Sequence, residues 1–122
     1  MIVVSNTTPL MGLAATAQFD LLRHLFGKII IPQAVYEETV LFGRERRGAK
    51  QEVINASWIE VVMVQDQLAV EVLLDELDQG EAETIVLARE LKANWVLMDE
   101  KKRTTQIERD EYTQNRHSWF VT

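Results

Sequence analysis

The chain has 122 residues, 47% of them hydrophobic, with 13 Lys and Arg against 19 Asp and Glu and a formal net charge of -6. This length and composition suit one globular domain with a single core, which excludes a disordered chain or a fibrous repeat protein. The count of 0 cysteines excludes disulfide scaffolds, thiolate zinc sites and cysteine nucleophiles, and the negative charge argues against binding a polyanion through the whole surface.

Membrane and export signals are not expected from this sequence. No run approaches the roughly 18 apolar residues of a membrane span. The N-terminal segment MIVVSNTTPL has no basic lead, so it resembles neither a secretion signal nor an anchor. We therefore expect a cytoplasmic protein.

The first half of the chain alternates short apolar runs with helical patterns. Residues 2–5 and 28–31 are short runs dominated by Val and Ile, typical of strands that are buried on both faces. After the first run, Thr8 is predicted to cap a helix that begins at Pro9. A further helical stretch over residues 20–25 is predicted to end at Gly27, and Pro32 stops the second strand before a helix over residues 34–41.

The second half continues the same alternation. A basic loop over residues 43–48, GRERRG, precedes a short helix over 50–55, a strand over 58–64 and a helix over 68–77. The triplet Asp78-Gln79-Gly80 is interpreted as a break, and Glu81 as the start of the next helix. A fourth strand over 95–98 ends at Asp99. This order predicts an α/β fold, a three-layer α/β/α sandwich with a central parallel sheet.

The C-terminal residues 103–122 depart from this pattern. They contain neither a helical stripe nor a strand-like run. We therefore expect one domain over residues 1–102 and an atypical or truncated tail over 103–122, of the kind that a frameshifted gene end or a genuine alternative end would produce.

Four oxygen-bearing side chains fall where a parallel sheet binds ligands, which is beyond the carboxyl ends of its strands. Asn6 follows the first strand, Asp99 follows the fourth, Glu38 lies about one helical turn beyond the second, and Glu81 opens the helix that leads to the fourth. Carboxylate and amide oxygens are the ligands that Mg²⁺ and Mn²⁺ prefer. The sequence therefore predicts a divalent-cation site formed by distant parts of the chain.

Four segments carry a resemblance to a known family. They are IVVSNTTPL, IIIPQAVYEE, LDQGEAETIVLARELKA and VLMDEKK, in this order along the chain. Together they resemble the PIN-domain nucleases, and within them a prokaryotic PIN-like subfamily related to the VapC toxins. The resemblance covers about residues 1–102, and its strength lies in the joint occurrence of the motifs.

The resemblance implies a metal-dependent endoribonuclease, in which acidic residues hold Mg²⁺ or Mn²⁺ and a water molecule is activated to hydrolyse RNA. It also implies the toxin of a toxin-antitoxin pair, a homodimer, and an antitoxin protein that inhibits the toxin near its acidic cleft.

The family positions transfer to this chain with one departure. The four acidic positions fall on Asn6, Glu38, Glu81 and Asp99, so an amide stands where the first carboxylate is expected. An amide oxygen can ligate a cation weakly or orient water, but it cannot act as a base. Three of these residues, Glu38, Glu81 and Asp99, are the expected metal ligands.

Neighbouring residues leave alternatives open. Glu37 is the alternative to Glu38, Glu83 to Glu81, and Glu100 a weaker alternative to Asp99. Residues 81 and 83 project from different sides of a helix, so only one of them can face a given site. The residues expected to contact RNA phosphate are Thr8, Lys101 and Arg103.

Two other functions remain as hypotheses. The departure at Asn6 and the altered C-terminus suit a catalytically weakened PIN fold that acts as a binding module. A phosphate-accepting receiver domain would need an acidic pair after the first strand and an aspartate after the third, where this chain has Asn6-Thr7 and Gln65-Asp66. The receiver hypothesis therefore ranks last.

Overall fold

The computed structural model describes residues 1–41, 49–98 and 120–121. The strands are β1 Val3–Ser5, β2 Ile29–Pro32, β3 Ile59–Val62, β4 Trp95–Leu97 and β5 Phe120–Val121. The α-helices are α1 Thr7–Ala15, α2 Asp20–Phe26, α3 Gln33–Tyr36, α4 Ala49–Asn55, α5 Gln67–Leu73 and α6 Gln79–Leu91, and a π-helical turn, Glu37–Leu41, follows α3.

The strands form one parallel sheet in the order β3-β2-β1-β4-β5. β1 lies at the centre with all three residues buried, which suits its run of β-branched residues. The chain builds outward from β1 to β2 and β3, then crosses to β4 on the other side. The strand order therefore reverses between β1 and β4.

Alternate residues of β1 point to two separate layers of core. Val3 packs with apolar residues of α1 to α4 and the π-helical turn, such as Leu10, Leu22 and Val35. Val4 packs on the opposite face with residues of α5 and α6, such as Val70 and Leu87. Because successive side chains of a strand point to opposite faces, this division places helices on both sides of the sheet. The predicted three-layer sandwich is confirmed.

α6 is the most deeply packed helix. Every residue from Gly80 to Ala88 is buried, including Glu81 and Glu83. No helix within the described ranges is long and apolar enough to cross a membrane.

The prediction that residues 103–122 contain no strand is wrong at two positions. Phe120 and Val121 form β5, which pairs in parallel with Val96 and Leu97 of β4. The apolar run is too short to be recognised by periodicity, and its pairing with a buried neighbouring strand decides its conformation. The remaining residues of the predicted tail lie outside the described part of the chain.

α1 begins earlier than the sequence predicts. The N-cap is Asn6 and the helix starts at Thr7, so the assignment of Thr8 as the cap is wrong. The Asn6 N–H donates to the Leu97 carbonyl at 2.9 Å, which leads the chain directly from β1 into the helix. Pro9 then occupies the third helical position, where its missing N–H costs nothing because the first four helical N–H groups have no partner within the helix.

The region predicted as one helix over residues 34–41 has two parts. α3 covers Gln33–Tyr36 with Pro32 as its N-cap, and the π-helical turn contains both Glu37 and Glu38. π-Helical turns are rare and frequently occur at functional sites.

Candidate functional site

Asn6 lies at the reversal point of the sheet, directly after β1. Its side chain is only 3% exposed, and its backbone N–H is bonded to the last residue of β4. Ligands of open parallel sheets bind at this location, beyond the carboxyl ends of the strands. The fold thus places Asn6 beside the point where β4 runs toward residue 99.

Glu38 reaches from the π-helical turn to two other elements. The Thr7 hydroxyl at the start of α1 donates to Glu38 Oε1 at 2.5 Å. The Gly80 N–H at the start of α6 donates a second hydrogen bond to the same carboxylate. Glu38 therefore joins the residue after Asn6 to the residue before Glu81, although these lie far apart in sequence.

The environment of Glu38 raises the pKa of its carboxyl group. Burial is the largest cause, and the negative charges of Asp78 and Glu83 act in the same direction. The hydrogen bonds from Thr7 and Gly80 oppose the shift because they stabilise the ionised form. The repulsion between Glu38 and these two carboxylates favours the protonated form of Glu38. A cation bound at this position would relieve the same repulsion.

Gly80 permits the close approach of Glu38 to α6. A Cβ atom at this position would lie 2.6 Å from Glu38 Oε1 and 2.7 Å from Oε2. These distances are shorter than van der Waals contact, so a larger residue would displace the carboxylate. Gly80, which the sequence predicts to lie in a helix break, is instead part of the first turn of α6 and contacts Glu38 there.

Glu81 is 4% exposed and forms a capping box with Asp78. The Glu81 N–H donates to Asp78 Oδ1 at 2.9 Å, and the Asp78 N–H donates to Glu81 Oε1 at 3.1 Å. Asp78 is therefore the N-cap and α6 begins at Gln79, which corrects the prediction that Glu81 opens the helix. The side chain of Glu81 is held in place by the helix start itself.

The two alternative glutamates have other contacts. Glu37 accepts a hydrogen bond from the Gln33 side chain one turn earlier, at 3.2 Å. Glu83 accepts from the Ala34 N–H at 3.0 Å and from Gln79 Nε2 at 2.7 Å, so it bridges α6 and α3. Neither contact resembles that of Glu38, whose carboxylate meets both α1 and α6.

Several predicted site residues lie outside the described ranges. Thr8 is described and exposed, whereas the hydroxyl that contacts Glu38 belongs to its neighbour Thr7. The predicted residues that fall outside the described part are Asp99, Glu100, Lys101 and Arg103, together with the basic loop at 43–48.

Sequence reasoning missed the supporting roles of Thr7, Asp78 and Gly80. Two signals for them exist. The spacing Asp78-x-x-Glu81 is that of a capping box, and a glycine inside the resulting first turn indicates a close approach by another group. For Thr7 there is no local signal, because its partner is 31 positions away.

The described donors fit a hard divalent cation by their chemistry. Within residues 1–41, 49–98 and 120–121, no group of three or more His, Cys, Asp or Glu side chains could hold a metal ion. The predicted set, however, contains the amide of Asn6, which is not an acidic group, and Asp99, which lies outside those ranges. Its described members, Asn6, Glu38 and Glu81, each offer an oxygen ligand, as Mg²⁺ and Mn²⁺ prefer.

Comparison with known proteins agrees with this geometry. A family model described as a PIN domain matches residues 2–109. PIN domains are nuclease-type domains that act on nucleic acid and generally use divalent metal ions. The sequence matches none of the curated proteins and none of the solved structures with which it was compared. Because the match spans most of the chain, this chain belongs to the PIN-domain family.

Proposed function

We propose that this protein is a Mg²⁺- or Mn²⁺-dependent endoribonuclease that hydrolyses RNA phosphodiesters. The observation that carries the proposal is the position of Glu38, whose carboxylate meets both Thr7, next to Asn6, and Gly80, next to Glu81. These contacts support a site that Asn6, Glu38 and Glu81 would form at the end of the sheet where the strand order reverses.

Each side chain has a distinct role in this proposal. Glu38, Glu81 and Asp99 would hold the cation, and the amide of Asn6 would add a weak ligand or orient water without accepting a proton. Thr7 and Gly80 orient Glu38 by donating hydrogen bonds to its carboxylate. When bound, the cation would supply Lewis-acid stabilisation of the phosphate and lower the pKa of a water molecule.

Phosphate contact is proposed for Thr8, Lys101 and Arg103. Thr8 is exposed at the first turn of α1, next to the residue that contacts Glu38. Lys101 and Arg103 would neutralise the scissile phosphate.

An RNA cleavage assay tests the proposal directly. The wild-type chain should cleave RNA with Mg²⁺ or Mn²⁺ and should lose activity when the ions are chelated. Glu81→Gln should reduce cleavage by about 100-fold or more by removing a ligand charge, while glutamine retains the capping box. Glu90→Gln is the matched control on the same helix, because Glu90 binds the N–H groups of residues 65 and 66, away from Glu38.

Cleavage at the same rate by the wild type and Glu81→Gln would show that the activity comes from a contaminant and would end the nuclease proposal. A loss that is equal in Glu90→Gln would assign the effect to helix stability instead.

Asn6 favours a second candidate, a PIN fold that binds RNA but has weak catalytic activity. The residue is 3% exposed at the site and lacks the charge of the carboxylate that the family position carries. In this case the wild type binds RNA without cutting it, and Asn6→Asp raises both Mn²⁺ affinity and cleavage. If calorimetric titration shows that the wild type and Asn6→Asp bind Mn²⁺ with equal affinity, Asn6 is not part of the site.

The toxin role and the partners follow from the resemblance to VapC toxins. We propose that the chain is a homodimeric prokaryotic toxin that an antitoxin protein inhibits. Growth arrest on expression, relieved by Glu81→Gln, is the expected result, and light scattering should give twice the mass of the 14.1 kDa chain. Unimpaired growth under expression of an active nuclease would contradict the toxin role.

A further inference from the structure

Glu83 is a nearly buried carboxylate whose two oxygens are both occupied. Its side chain is 8% exposed in α6. Oε1 accepts from the Ala34 N–H of α3 at 3.0 Å, and Oε2 accepts from Gln79 Nε2 at 2.7 Å. Burying a carboxylate costs free energy unless hydrogen bonds replace those it made with water. The two hydrogen bonds of Glu83 supply this compensation, which a carboxylate on the exposed surface of a helix does not need.

The contacts of Glu83 and Glu38 form two successive links between the same segments. Ala34 of α3 meets Glu83, and Glu38, four residues later, meets Gly80, three residues before Glu83. Residues spaced by three or four lie on one face of a helix. α3 with its π-helical turn therefore runs antiparallel to the start of α6, with one link at each end of the contact.

The first link determines where the second one falls. α3 is only four residues long, so its own backbone hydrogen bonds fix its direction weakly. The bond from the Ala34 N–H to Glu83 fixes the start of the segment against α6. Glu38 lies one helical turn after Ala34, so fixing Ala34 also determines that the Glu38 carboxylate meets Gly80.

We propose that Glu83 is a positioning residue, which ties α3 to α6 and thereby holds the Glu38 carboxylate against the Gly80 N–H. Its effect on metal binding rests on the proposed function, whereas its effect on the contact between Glu38 and Gly80 does not. In this proposal Glu83 acts through its hydrogen bonds to Ala34 and Gln79 and not as a ligand.

Two conservative variants separate reach from charge. Glu83→Gln keeps the length of the side chain and an oxygen acceptor for the Ala34 N–H, but removes the charge. The new amide NH₂ group can donate to the Gln79 side chain, because the Gln79 amide is exposed and can rotate to present its oxygen. Glu83→Asp keeps the charge but is shorter by one methylene, so it cannot reach Ala34 from the same backbone position. Glu90→Asp is the matched control, since Glu90 ties α6 to the N–H groups before α5 in the same manner.

Two measurements are made on the whole chain. The amide proton shift of Gly80, recorded by NMR in the presence of a chelator, reports its hydrogen bond to the Glu38 carboxylate. Calorimetric titration with Mn²⁺ reports the affinity of the site. Glu83→Asp should move the Gly80 amide proton upfield and weaken Mn²⁺ binding by about 10-fold, the lower end of the range for residues that orient metal ligands.

The expected contrast is that Glu83→Gln and Glu90→Asp leave the Gly80 shift close to the wild-type value. Glu90→Asp should also leave the Mn²⁺ affinity unchanged, and Glu83→Gln should weaken Mn²⁺ binding less than Glu83→Asp does, since only the charge that acts on Glu38 is lost. A Glu83→Gln variant that weakens Mn²⁺ binding more than Glu83→Asp does, with the Gly80 shift unchanged, would overturn the proposal and make Glu83 a ligand. A Gly80 shift that Glu83→Asp leaves unchanged would overturn it as well. If the wild type binds no Mn²⁺, the proposed metal site fails, and the Gly80 shift still decides the role of Glu83.

Discussion

The position of one carboxylate, that of Glu38, depends on a residue with no side chain. Both carboxylate oxygens of Glu38 lie so close to the Gly80 backbone that a methyl group at this position would overlap with them. The Gly80 N–H also donates to that carboxylate. The first turn of α6 thus orients a group that belongs to a different element, and the smallest residue makes this possible.

Gly80→Ala should displace Glu38 while leaving the fold intact. The added methyl meets only the end of a flexible side chain, which can move, and alanine is the better helix former by about 0.5–1 kcal/mol. We expect Mn²⁺ affinity to fall by about 10-fold or more with little loss of thermal stability.

The matched control for this substitution is Gly12→Ala in α1, where the added methyl has nothing within 4 Å. It should stabilise the chain by about 0.5–1 kcal/mol and leave Mn²⁺ binding unchanged. Unaltered binding by Gly80→Ala would contradict the contact seen between Gly80 and Glu38.

The raised pKa of Glu38 predicts how metal-free stability varies with pH. The folded chain retains a proton that the unfolded chain releases near the ordinary glutamate value of 4.5. Folding therefore gains from this group below about pH 4.5 and loses that gain as the pH rises through the raised pKa. Asp78 and Glu83, which face Glu38, strengthen the effect through their negative charges.

Urea unfolding of the wild type and Glu38→Gln, with chelator present and from about pH 4 to pH 7, measures this dependence. The variant carries no charge at this position, so the stability of the wild type relative to it should decline as the pH rises. A difference that stays constant, or that grows, would show that the pKa of Glu38 is not raised.

At the scale of elements, the π-helical turn contains two neighbouring polar residues, of which one is hydrogen-bonded and the other is buried without a partner among the described residues. Glu38 projects toward α1 and α6, while Thr39 is 1% exposed and its Oγ1 has no hydrogen-bond partner among the described residues. A buried hydroxyl without a partner costs about 1–3 kcal/mol. The turn thus carries an unfavourable group next to the candidate site.

Thr39→Val should stabilise the chain by about 1 kcal/mol. Valine has the same β-branched shape and removes the unsatisfied hydroxyl, so the packing is retained while the cost of burying a polar group disappears. Thermal and urea unfolding measure the gain. Thr84→Val is the contrasting control, because the Thr84 hydroxyl donates to the Gly80 carbonyl at 2.7 Å and its removal should not stabilise. Destabilisation by Thr39→Val would indicate that its hydroxyl is satisfied.

At the scale of the whole molecule, the sheet joins segments from both ends of the chain. β1 and β4 are neighbours although they lie at opposite ends of the described core, and β5 adds a short edge strand beyond β4. β5 covers one side of β4, the strand that leads toward Asp99.

Ending the chain after residue 119 should lower the free energy of unfolding by about 1–2 kcal/mol, because it removes β5 and the few backbone hydrogen bonds that pair it with β4. Urea unfolding measures this loss, and ending the chain after residue 121 serves as the control that retains the strand. Equal stability of the two shortened chains would show that β5 contributes nothing to the sheet.

The sequence alone was sufficient to predict the fold class and the family. Apolar runs that alternate with helical patterns indicate a parallel sheet between helices, and the four motifs around Asn6, Glu38, Glu81 and Asp99 indicate a PIN domain. These features are local, since each depends on one short continuous stretch of the sequence. The capping box of Asp78 and Glu81 is local as well and was present in the sequence.

Only the tertiary structure decided how these parts meet. The hydrogen bonds of Thr7 with Glu38 and of Ala34 with Glu83 span 31 and 49 positions, and β5 becomes a strand only by pairing with β4. Such contacts depend on how elements pack, and a side chain at one end carries no local sign of its partner. The sequence therefore determined which acidic residues are present, while the packing of α1, α3 and α6 decided that Glu38 is held between Thr7 and Gly80.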